Sequence, residues 1–387
     1  MTRPTAFVLN MYATGLGIAR NLAPHGVHVV GISSQEDVPG AHSRYCRALT
    51  GPDSAHAPEE LAEFLIGLAR LEPVQPILFA TRDADVEFID RFREPLEAEM
   101  ILTQPAHELL DALVNKARLA ELAERHGVDS PVTLSLSSAE ELEQNAGRLP
   151  FPAVVKPVYA AELPGLRDAL NGQKGLRVDD RAALDAVAAK AFAAGSRVLV
   201  QEWVDGEADE FYIVGLYIGA AGRCLGAFTS RKLVQYPPGF GLGCLYRTVD
   251  LPELRDSAVA FLEGIGYRGL AEVEYKRDPE SGRFRLIEIN TRHWDQHPMG
   301  TAAGVNLSLL AYRDLAEGAA PDEPCYPRRR SSWIRGLGLL RAIKAELRHG
   351  SQGMLMARRA LSPSRRAYAL WSWSDPMPVL RRRKPGA

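Results

Sequence analysis

Short apolar runs separated by turns and helical stretches mark the first hundred residues of the chain. The runs at 6–10, 28–32 and 76–80 have the length of buried strands, and a glycine turn and a helical stretch lie between the first two. A strand, a helix and a second strand in this order predict a parallel sheet covered by helices. Gly15 and Gly17 lack the third glycine of a dinucleotide fingerprint, so we interpret them as turn glycines.

The pattern changes in the middle of the chain, where strands become dominant. Leu109, Leu113 and Leu119 are spaced for one face of a helix over 107–126. Beyond it the pattern predicts a strand, a glycine loop, a helix, three more strands and a hairpin, at 151–157, 171–175, 180–194, 198–204, 211–218, 223–229 and 267–290. The chain therefore combines an α/β part with an α+β part.

Composition adds limits on the class of protein. The 387 residues are 46% hydrophobic and 24% charged, which is ordinary for a globular protein of two or three domains. No apolar run reaches the roughly 18 residues that a membrane span requires, and the N-terminus lacks a signal pattern. The four cysteines have no metal-binding spacing and suggest no disulfide framework. We therefore expect a cytoplasmic protein.

The charge is strongly asymmetric along the chain. Residues 328–387 carry 15 Lys and Arg against 2 Asp and Glu, whereas the rest carries 31 against 46. Within this basic extension, Trp333, Leu337, Leu340 and Ile343 are spaced for one face of an amphipathic helix. Such a segment can pack on the acidic body, or it can bind an anionic membrane or an acidic partner. We expect no nucleic-acid binding.

One strand carries the main chemical signal. The run at 286–292 ends in Glu288, Asn290 and Arg292, which alternate and so point to one face. Carboxylate and amide oxygens suit Mg²⁺, and a guanidinium suits a phosphate oxygen. The competing interpretation is a half-buried edge strand with a polar outer face.

Upstream residues support a metal–nucleotide site. Lys156 stands in an apolar strand and could meet a phosphate, and the glycines of 171–175 let backbone amides approach phosphate oxygens. The strand end at 201–204 offers backbone groups to an adenine ring, with Glu202 near its amino group. Either Asp209 or Glu210, a few residues further on, could take the ribose hydroxyls. Glu274, or alternatively Asp278, supplies a further metal acid across the hairpin.

This order of motifs resembles the ATP-grasp superfamily over roughly residues 107–310. The N-terminal part looks like the Rossmann-like domain that precedes the grasp in that superfamily. The resemblance implies domains at 1–105, 106–327 and 328–387, the second divided into a linker helix region at 106–150, a lid subdomain at 151–205 and a metal and substrate subdomain at 206–327.

The resemblance also implies roles for single residues. Lys116 and Lys156 are similar to the two ATP-contacting lysines, and 171–175 looks like the phosphate lid. The implied nucleotide set is Lys116, Lys156, Gly172, Lys174, Gly175, Gln201, Glu202, Trp203, Val204 and Glu210; the implied Mg²⁺ ligands are Glu274, Glu288 and Asn290, and Arg292 is implied at the reacting phosphate.

Most enzymes of this superfamily join a carboxylate to an amine. The resemblance implies that a carboxylate attacks the γ-phosphate of ATP, and that an amine, expected to be an amino acid, then displaces phosphate from the acyl phosphate. It implies ATP and two Mg²⁺ ions, with Mn²⁺ as an alternative metal, and a homodimer is an open alternative to a monomer. The competing functions are an ATP-dependent carboxylase, another phosphotransferase, and a non-catalytic nucleotide sensor.

The substrate signal lies outside the nucleotide motifs. Arg231 and Lys232 end a predicted strand and precede a glycine-rich aromatic loop at 236–243, which suits an anionic substrate with a cover. This stretch resembles uncharacterised ATP-grasp carboligases and D-aspartate ligase-like enzymes. His293 and His297 are expected to line the same cleft.

Overall fold

The computed structural model describes residues 2–158, 163–173, 175–238, 241–349 and 353–381. Lys174 of the predicted lid lies outside the described residues. No helix in these ranges is long and apolar enough to cross a membrane.

The N-terminal part contains a five-stranded sheet in the order β3-β2-β1-β4-β5, with every ladder parallel. Parallel strands buried on both sides need helices on both faces, and the continuous apolar runs of this region provide the buried strands. The predicted parallel Rossmann-like sheet is confirmed. Its strands are β1 (Ala6–Leu9), β2 (Val29–Ser33), β3 (Arg47–Thr50), β4 (Ile77–Phe79) and β5 (Ile101–Leu102), and its helices are α1 (Ala13–Leu22), α2 (Pro58–Ala69), α3 (Asp83–Arg91) and α4 (Arg93–Glu97).

The glycine pair of the opening motif lies inside α1 and not in a turn. A Cβ on Gly17 would stand 2.7 Å from Cε1 of His297, and one on Gly15 would stand 2.7 Å from the backbone oxygen of Asn10. The missing side chains therefore allow α1 to pack closely against the segment at His297. This packing accounts for the glycines without any nucleotide.

The predicted helix over 107–126 is two helices, α5 (His107–Val114) and α6 (Lys116–Arg125). The break comes at Asn115, whose side chain accepts hydrogen bonds from the backbone amides of Ala117 and Arg118 and so caps α6. Lys116 thereby becomes the first residue of α6.

A four-stranded sheet in the order β6-β9-β7-β8 follows. The structure differs from the predicted boundary at 151, because β6 is hydrogen-bonded to β9 in this sheet. Leu134 and Leu136 of β6 share a core with Val155 and Val200, which explains why the strand joins. The elements are β6 (Thr133–Leu136), α7 (Ala139–Gln144), β7 (Ala153–Lys156), α8 (Leu163–Leu166), β8 (Leu176–Val178), α9 (Arg181–Ala193) and β9 (Val198–Glu202).

The largest sheet has seven strands in the order β14-β13-β10-β11-β12-β15-β16. One face packs on α10 through residues such as Val214 and Leu216, and the other packs on the N-terminal part through residues such as Phe228 and Tyr246. Its elements are β10 (Phe211–Ile218), β11 (Cys224–Tyr236), β12 (Leu242–Val249), α10 (Pro252–Gly264), β13 (Gly269–Arg277), β14 (Phe284–Asn290), α11 (Pro298–Ala303), α12 (Leu307–Glu317), β15 (Ser331–Ile334), α13 (Gly336–His349), α14 (Gly353–Leu361), β16 (Arg365–Tyr368) and α15 (Met377–Leu380).

Two expectations for this sheet were wrong. The strand expected to end at Lys232 continues to Tyr236, because Val234 is buried and pairs with Leu245 of β12. Trp333 was expected on an amphipathic helix, but it lies fully buried in β15, and the helix begins only at Gly336. The start of the basic extension is therefore part of the large sheet.

Candidate active site

A row of oxygen-bearing side chains crosses one face of the large sheet at β13 and β14. In the ladder, Glu274 lies opposite Glu288 and Glu272 lies opposite Asn290. Directly opposed residues share a face, so all four side chains lie on the same face of the sheet. Nδ2 of Asn290 donates to Oε2 of Glu272 at 3.0 Å. We call Glu272, Glu274, Glu288 and Asn290 the acidic row.

Glu272 was missed in the sequence, although the signal was present. It stands two residues before Glu274 on the same strand, and period-two alternation places both on one face. The side chain is 4% exposed. Burial and repulsion from Glu274 raise the pKa of Glu272 well above its usual value.

Two lysines from different elements approach the acidic row. Nζ of Lys116, at the start of α6, donates to Oε1 of Glu288 at 3.0 Å. Lys156, at the end of β7, donates to Oε1 of Gln201 at 2.7 Å. The site therefore lies between the small sheet and the large one, where Lys156 of the small sheet and Lys116 of α6 approach the acids of the large sheet.

The pKa shifts record a crowded and buried charge cluster. Burial and repulsion from Glu288 raise the pKa of Glu274. Burial alone would raise the pKa of Glu288, but the attraction of Lys116 and its hydrogen bond lower that pKa overall. Burial, reinforced by Lys116, lowers the pKa of Lys156 to about 8. Such opposed shifts are common where proteins handle charged ligands.

Arg292 connects the acidic row to the N-terminal part. Its Nε donates to Oδ1 of Asp83 at 2.6 Å, and its NH2 group lies 3.4 Å from Oδ1 of Asn290. Asp83 is the first residue of α3, beyond the end of β4. The guanidinium thus stays at the edge of the cluster, as expected for a group that meets an incoming anion.

Comparisons with known proteins agree with this arrangement. The family model of the carbamoyl-phosphate synthase L chain ATP-binding domain matches residues 244–322, which include the acidic row. A D-aspartate ligase of Enterococcus faecium is 24% identical over 302 residues, which are 75% of this chain and 70% of the relative. A D-alanine–D-alanine ligase of Stutzerimonas stutzeri is 29% identical over 46% of this chain, which spans 55% of that relative's length.

Solved structures show the same fold. An L-amino acid ligase from Bacillus licheniformis superposes with a TM-score of 0.61 at 17% identity, over 86% of this chain and 80% of the other. A biotin carboxylase from Campylobacter jejuni gives a TM-score of 0.65 at 16% identity, over 85% and 74%. The chain has the ATP-grasp fold.

Two neighbouring cations of this ATP-grasp chain lie on opposite faces of β11. Nζ of Lys232 stands 3.9 Å from the centre of the Phe211 ring. Burial lowers the pKa of Lys232, although the charges of Glu274 and Glu272 act to raise it. Arg231 pairs with Glu210 at 3.1 Å and also with Asp209. Lys232 therefore joins the cluster, whereas Arg231 lies on the other face in ion pairs, and its predicted role toward an anionic substrate stays a prediction.

The predicted ribose acid is also placed elsewhere. Glu210 accepts from Arg277 at 2.8 Å as well as from Arg231, and both arginines lie on the face opposite to the acidic row. The alternative, Asp209, pairs with Arg231 and Arg359. Both carboxylates therefore have guanidinium partners away from the acidic row, and a ribose contact of Glu210 or Asp209 stays a prediction.

The predicted adenine edge lies at the end of β9, where the two sheets meet. Gln201 bridges Lys156 and Thr133, and the carboxylate of Glu202 pairs with Arg285 at 2.8 Å. Gln201 thus links strands of the small sheet, and the Glu202–Arg285 pair joins the small sheet to the large one. Because both side chains are engaged, the backbone is left as the candidate nucleobase contact. Trp203 and Val204 follow, at the strand end.

Lys276, which the sequence reasoning missed, occupies this edge. Its Nζ donates to the backbone oxygen of Val204 at 2.7 Å and stands 5.2 Å from the ring centre of Trp203. Burial and repulsion from Lys232 lower its pKa to about 8. The signal was again alternation, since Lys276 continues the line of Glu272 and Glu274 along β13.

The described part of the lid has the backbone of a glycine turn. Asn171 and Gly172 have φ values of 51° and 76°, and both are exposed, whereas Gly175 is buried. A left-handed φ at Gly172 is what glycine allows without strain. The phosphate contacts of this loop stay a prediction.

The histidines expected in the cleft are core residues. Nε2 of His293 is 2.9 Å from Oγ of Ser308, and Nδ1 of His297 is 2.6 Å from the backbone oxygen of Trp294. Both side chains are buried, and burial lowers the pKa of His297 to about 4. They hold the segment that packs against α1.

The acidic row fits a magnesium ion that arrives with a nucleotide. Its carboxylates and amide offer oxygen ligands, which Mg²⁺ prefers. The pKa values of Glu272 and Glu274 are raised by burial and by repulsion between carboxylates, and a bound cation would relieve that repulsion. Among the described residues, no three His, Cys, Asp or Glu side chains are already gathered as a metal site. The acidic row alone is therefore an incomplete set of ligands, and ATP phosphates would supply the rest. Lys116, which contacts Glu288, lies beside them.

Proposed function

We propose that this chain is an ATP-dependent ligase that activates a carboxylate as an acyl phosphate and joins it to an amine, preferably an amino acid. The observation that carries the proposal is the acidic row of the large sheet, which Lys116 of α6 and Lys156 of β7 approach. The ligase names of its relatives support the same class of reaction.

The chemistry balances with ATP and two substrates. A carboxylate oxygen attacks the γ-phosphorus, the bond to the β,γ-bridging oxygen breaks, and ADP leaves. The amine nitrogen then attacks the acyl carbon, phosphate leaves with the bonding electrons, and the nitrogen loses a proton. This route needs no protein nucleophile, so positioning and charge neutralisation provide most of the catalysis.

Each group of the site has a role in that sequence. We assign Lys116, Lys156 and Lys232 to the phosphate oxygens and Arg292 to the charge that develops at the transferred phosphoryl group. The acidic row would hold Mg²⁺, which supplies the positive charge that draws the phosphates together when it is bound. We further propose two ions, with Mn²⁺ able to replace Mg²⁺, in a cytoplasmic enzyme.

The test is ADP release measured across pairs of carboxylates and amino acids, beginning with D-aspartate and D-alanine in both roles. A ligase releases ADP and forms an amide only when both partners are present. Lack of turnover with every pair would leave the chain as a nucleotide sensor and would overturn the proposal.

A second candidate function is carboxylation of a small molecule with bicarbonate. Its support is the close fold similarity to biotin carboxylases, one solved with bicarbonate. Addition of bicarbonate to the same screen decides between the two reactions. ADP release that depends on bicarbonate and on a single acceptor would favour the carboxylase.

The basic extension is also proposed as a peripheral membrane contact. On α13, Leu337, Leu340 and Leu347 are 74%, 64% and 61% exposed, and Arg341 and Lys344 are exposed between them. Apolar side chains interleaved with cations suit an anionic lipid surface. Co-sedimentation of the full chain and Leu337→Ser/Leu347→Ser with anionic and neutral vesicles tests this, and equal sedimentation of both proteins would reject it.

The oligomeric state is a separate proposal. One of the similar solved structures is described as a biotin carboxylase domain dimer. We propose a homodimer, which light scattering of the full chain tests, and a mass of one chain would reject it.

A further inference from the structure

A large cavity opens beside the end of β12, away from the acidic row. Its volume of about 640 Å³ falls within the range of small-molecule sites, roughly 300–1,000 Å³. Charged groups of its wall are five arginines and one carboxylate, namely Arg247, Arg255, Arg328, Arg329, Arg330 and Asp250. We call it the arginine cavity.

The arginine cavity is separate from the proposed ATP site. Arg247 lies opposite Arg231 in the β11–β12 ladder, so it projects to the sheet face that does not carry the acidic row. Its wall contains none of the lysines assigned to ATP. An anion in this cavity would therefore not contact the ATP phosphates.

Most of these guanidinium groups have no counter-charge. Within the described ranges, the side chains of Arg328, Arg329 and Arg330 form no ion pair or hydrogen bond. Arg247 donates from Nε to the hydroxyl of Ser332 at 3.2 Å and also contacts a backbone oxygen, both neutral groups. Among the described residues, Arg255 has carboxylate neighbours: it pairs with Asp256 at 2.7 Å, and the charge of Asp250 also helps to raise its pKa.

The basic run is held in place by its main chain. The amide of Arg328 donates to Ala303 at 2.9 Å, and the carbonyl of Arg330 accepts from Arg365 at 3.0 Å. The amide of Ser331 donates to Oγ1 of Thr248 at 2.9 Å. A backbone anchored on both sides presents its cations in a set geometry, which lowers the entropy lost when a ligand binds.

The cations are close enough to act on one another. Burial lowers the pKa of Arg247, and the charges of Arg330 and Arg359 lower it further. Repulsion of this kind is relieved by an anion. Beside it, Arg255 stacks 4.0 Å from the ring centre of Tyr326, which gives the wall an apolar surface for an organic group.

We propose that the arginine cavity binds a compact phosphorylated small molecule that carries at least two negative charges. Guanidinium groups bind phosphate oxygens through paired hydrogen bonds. A ligand with one carboxylate has too few oxygens to bind several guanidinium groups at once, whereas a phosphorylated ligand has more. The volume exceeds that of one inorganic ion and leaves room for an organic part. This ligand is distinct from the ATP, carboxylate and amine of the proposed reaction.

The test is titration calorimetry of the full chain with metal-free inorganic pyrophosphate, with citrate as a carboxylate comparison, at about 0.1 M salt because screening is strong at higher salt. Arg328→Gln/Arg330→Gln removes two unpaired cations of the cavity. Arg341→Gln/Arg358→Gln removes the same charge from exposed positions on α13 and α14. Lys116→Met/Lys156→Met removes the cations assigned to ATP.

The proposal expects pyrophosphate to bind the wild type, the control and the lysine variant with similar affinity, and citrate to bind more weakly. Arg328→Gln/Arg330→Gln should bind pyrophosphate at least about tenfold more weakly, at an unchanged melting temperature. No binding to the wild type, tighter binding of citrate, an equal loss in the control, or a loss confined to the lysine variant would overturn it. The last result would place pyrophosphate in the ATP site.

Discussion

The two faces of the large sheet both carry cations, but their neighbours differ. On one face, Lys232 and Lys276 lie beside the buried acidic row, and Lys116 and Lys156 approach it from outside the sheet. On the other face, Arg231 and Arg277 are bound to Glu210 in ion pairs. The lysines can exchange their present partners for phosphate oxygens, whereas Arg231 and Arg277 form ion pairs that stabilise the fold. On these strands, the face therefore separates the cations that lie beside the acidic row from those held in ion pairs with Glu210.

The sharpest way to break this comparison is to remove one acid of the row. Glu288→Ala should lower ADP release at least ~100-fold, because the metal and Lys116 both lose a charged partner. Asp278→Ala, outside the row, should retain most activity, since its carboxylate accepts turn amides from Glu280 and Ser281. The measurement is steady-state ADP release, and near wild-type turnover of Glu288→Ala would reject the metal assignment.

The pH dependence of ATP affinity sharpens the same comparison. Burial lowers the pKa of Lys156 to about 8, so the free protein loses this charge as pH rises above 8. Bound phosphates favour the protonated form, and the Kd for ATP should rise by up to about tenfold for each pH unit above 8. Equilibrium binding measured from about pH 7 to about pH 9.5 gives this dependence of the Kd for ATP on pH.

A matched variant identifies the group responsible. Lys156→Arg stays protonated throughout this range and should give a nearly flat profile. Lys276 has a similarly lowered pKa of about 8, so Lys276→Met should retain the slope if Lys156 causes it. A flat profile for Lys276→Met alone would move the assignment to that lysine.

The adjacent pair on β11 tests the two faces directly. Lys232→Met should lower kcat/KM by roughly 10- to 100-fold, because its ammonium faces the acidic row. Arg231→Met should leave kcat/KM nearly unchanged and lower the free energy of unfolding by about 1 kcal/mol, because it breaks partly exposed ion pairs. Kinetics and urea unfolding of both variants provide the comparison, and reversed effects would contradict it.

The smallest expected effect concerns the opening glycines. Gly17→Ala should lower the free energy of unfolding by about 1–3 kcal/mol, because its Cβ would meet His297 at 2.7 Å. Gly67→Ala, where nothing lies within 4 Å on helix α2, should stabilise by about 0.5–1 kcal/mol. ATP affinity should stay unchanged in both, and a selective loss in Gly17→Ala would restore a nucleotide role for this helix.

Much of the fold was readable because alternation and periodicity are local. The parallel N-terminal sheet and the ATP-grasp fold are confirmed. The prediction of Glu274 and Glu288 on facing strands agrees with their ladder register, while their roles as metal ligands stay a prediction. Glu272 could have been found by applying the same two-residue spacing to the preceding strand.

The features that the sequence did not reveal share a physical cause, which is contact between residues distant in the chain. The carboxylate of Glu210 is taken by Arg231 and Arg277, and no local pattern reveals such pairing. The local spacing of Trp333 predicts one face of a helix, but in the structure its strand, β15, pairs with the edge of β12. The joining of β6 to β9 likewise depends on a strand more than sixty residues later in the chain.

The most direct test of the central claim follows one oxygen atom. With a carboxylate substrate labelled with ¹⁸O, supplied with ATP and the amine partner found by the ADP-release screen, the released phosphate is analysed by mass spectrometry. Attack of the carboxylate on the γ-phosphorus predicts one ¹⁸O atom in each phosphate released. Unlabelled phosphate, with the amide still formed, would contradict an acyl phosphate intermediate at this site.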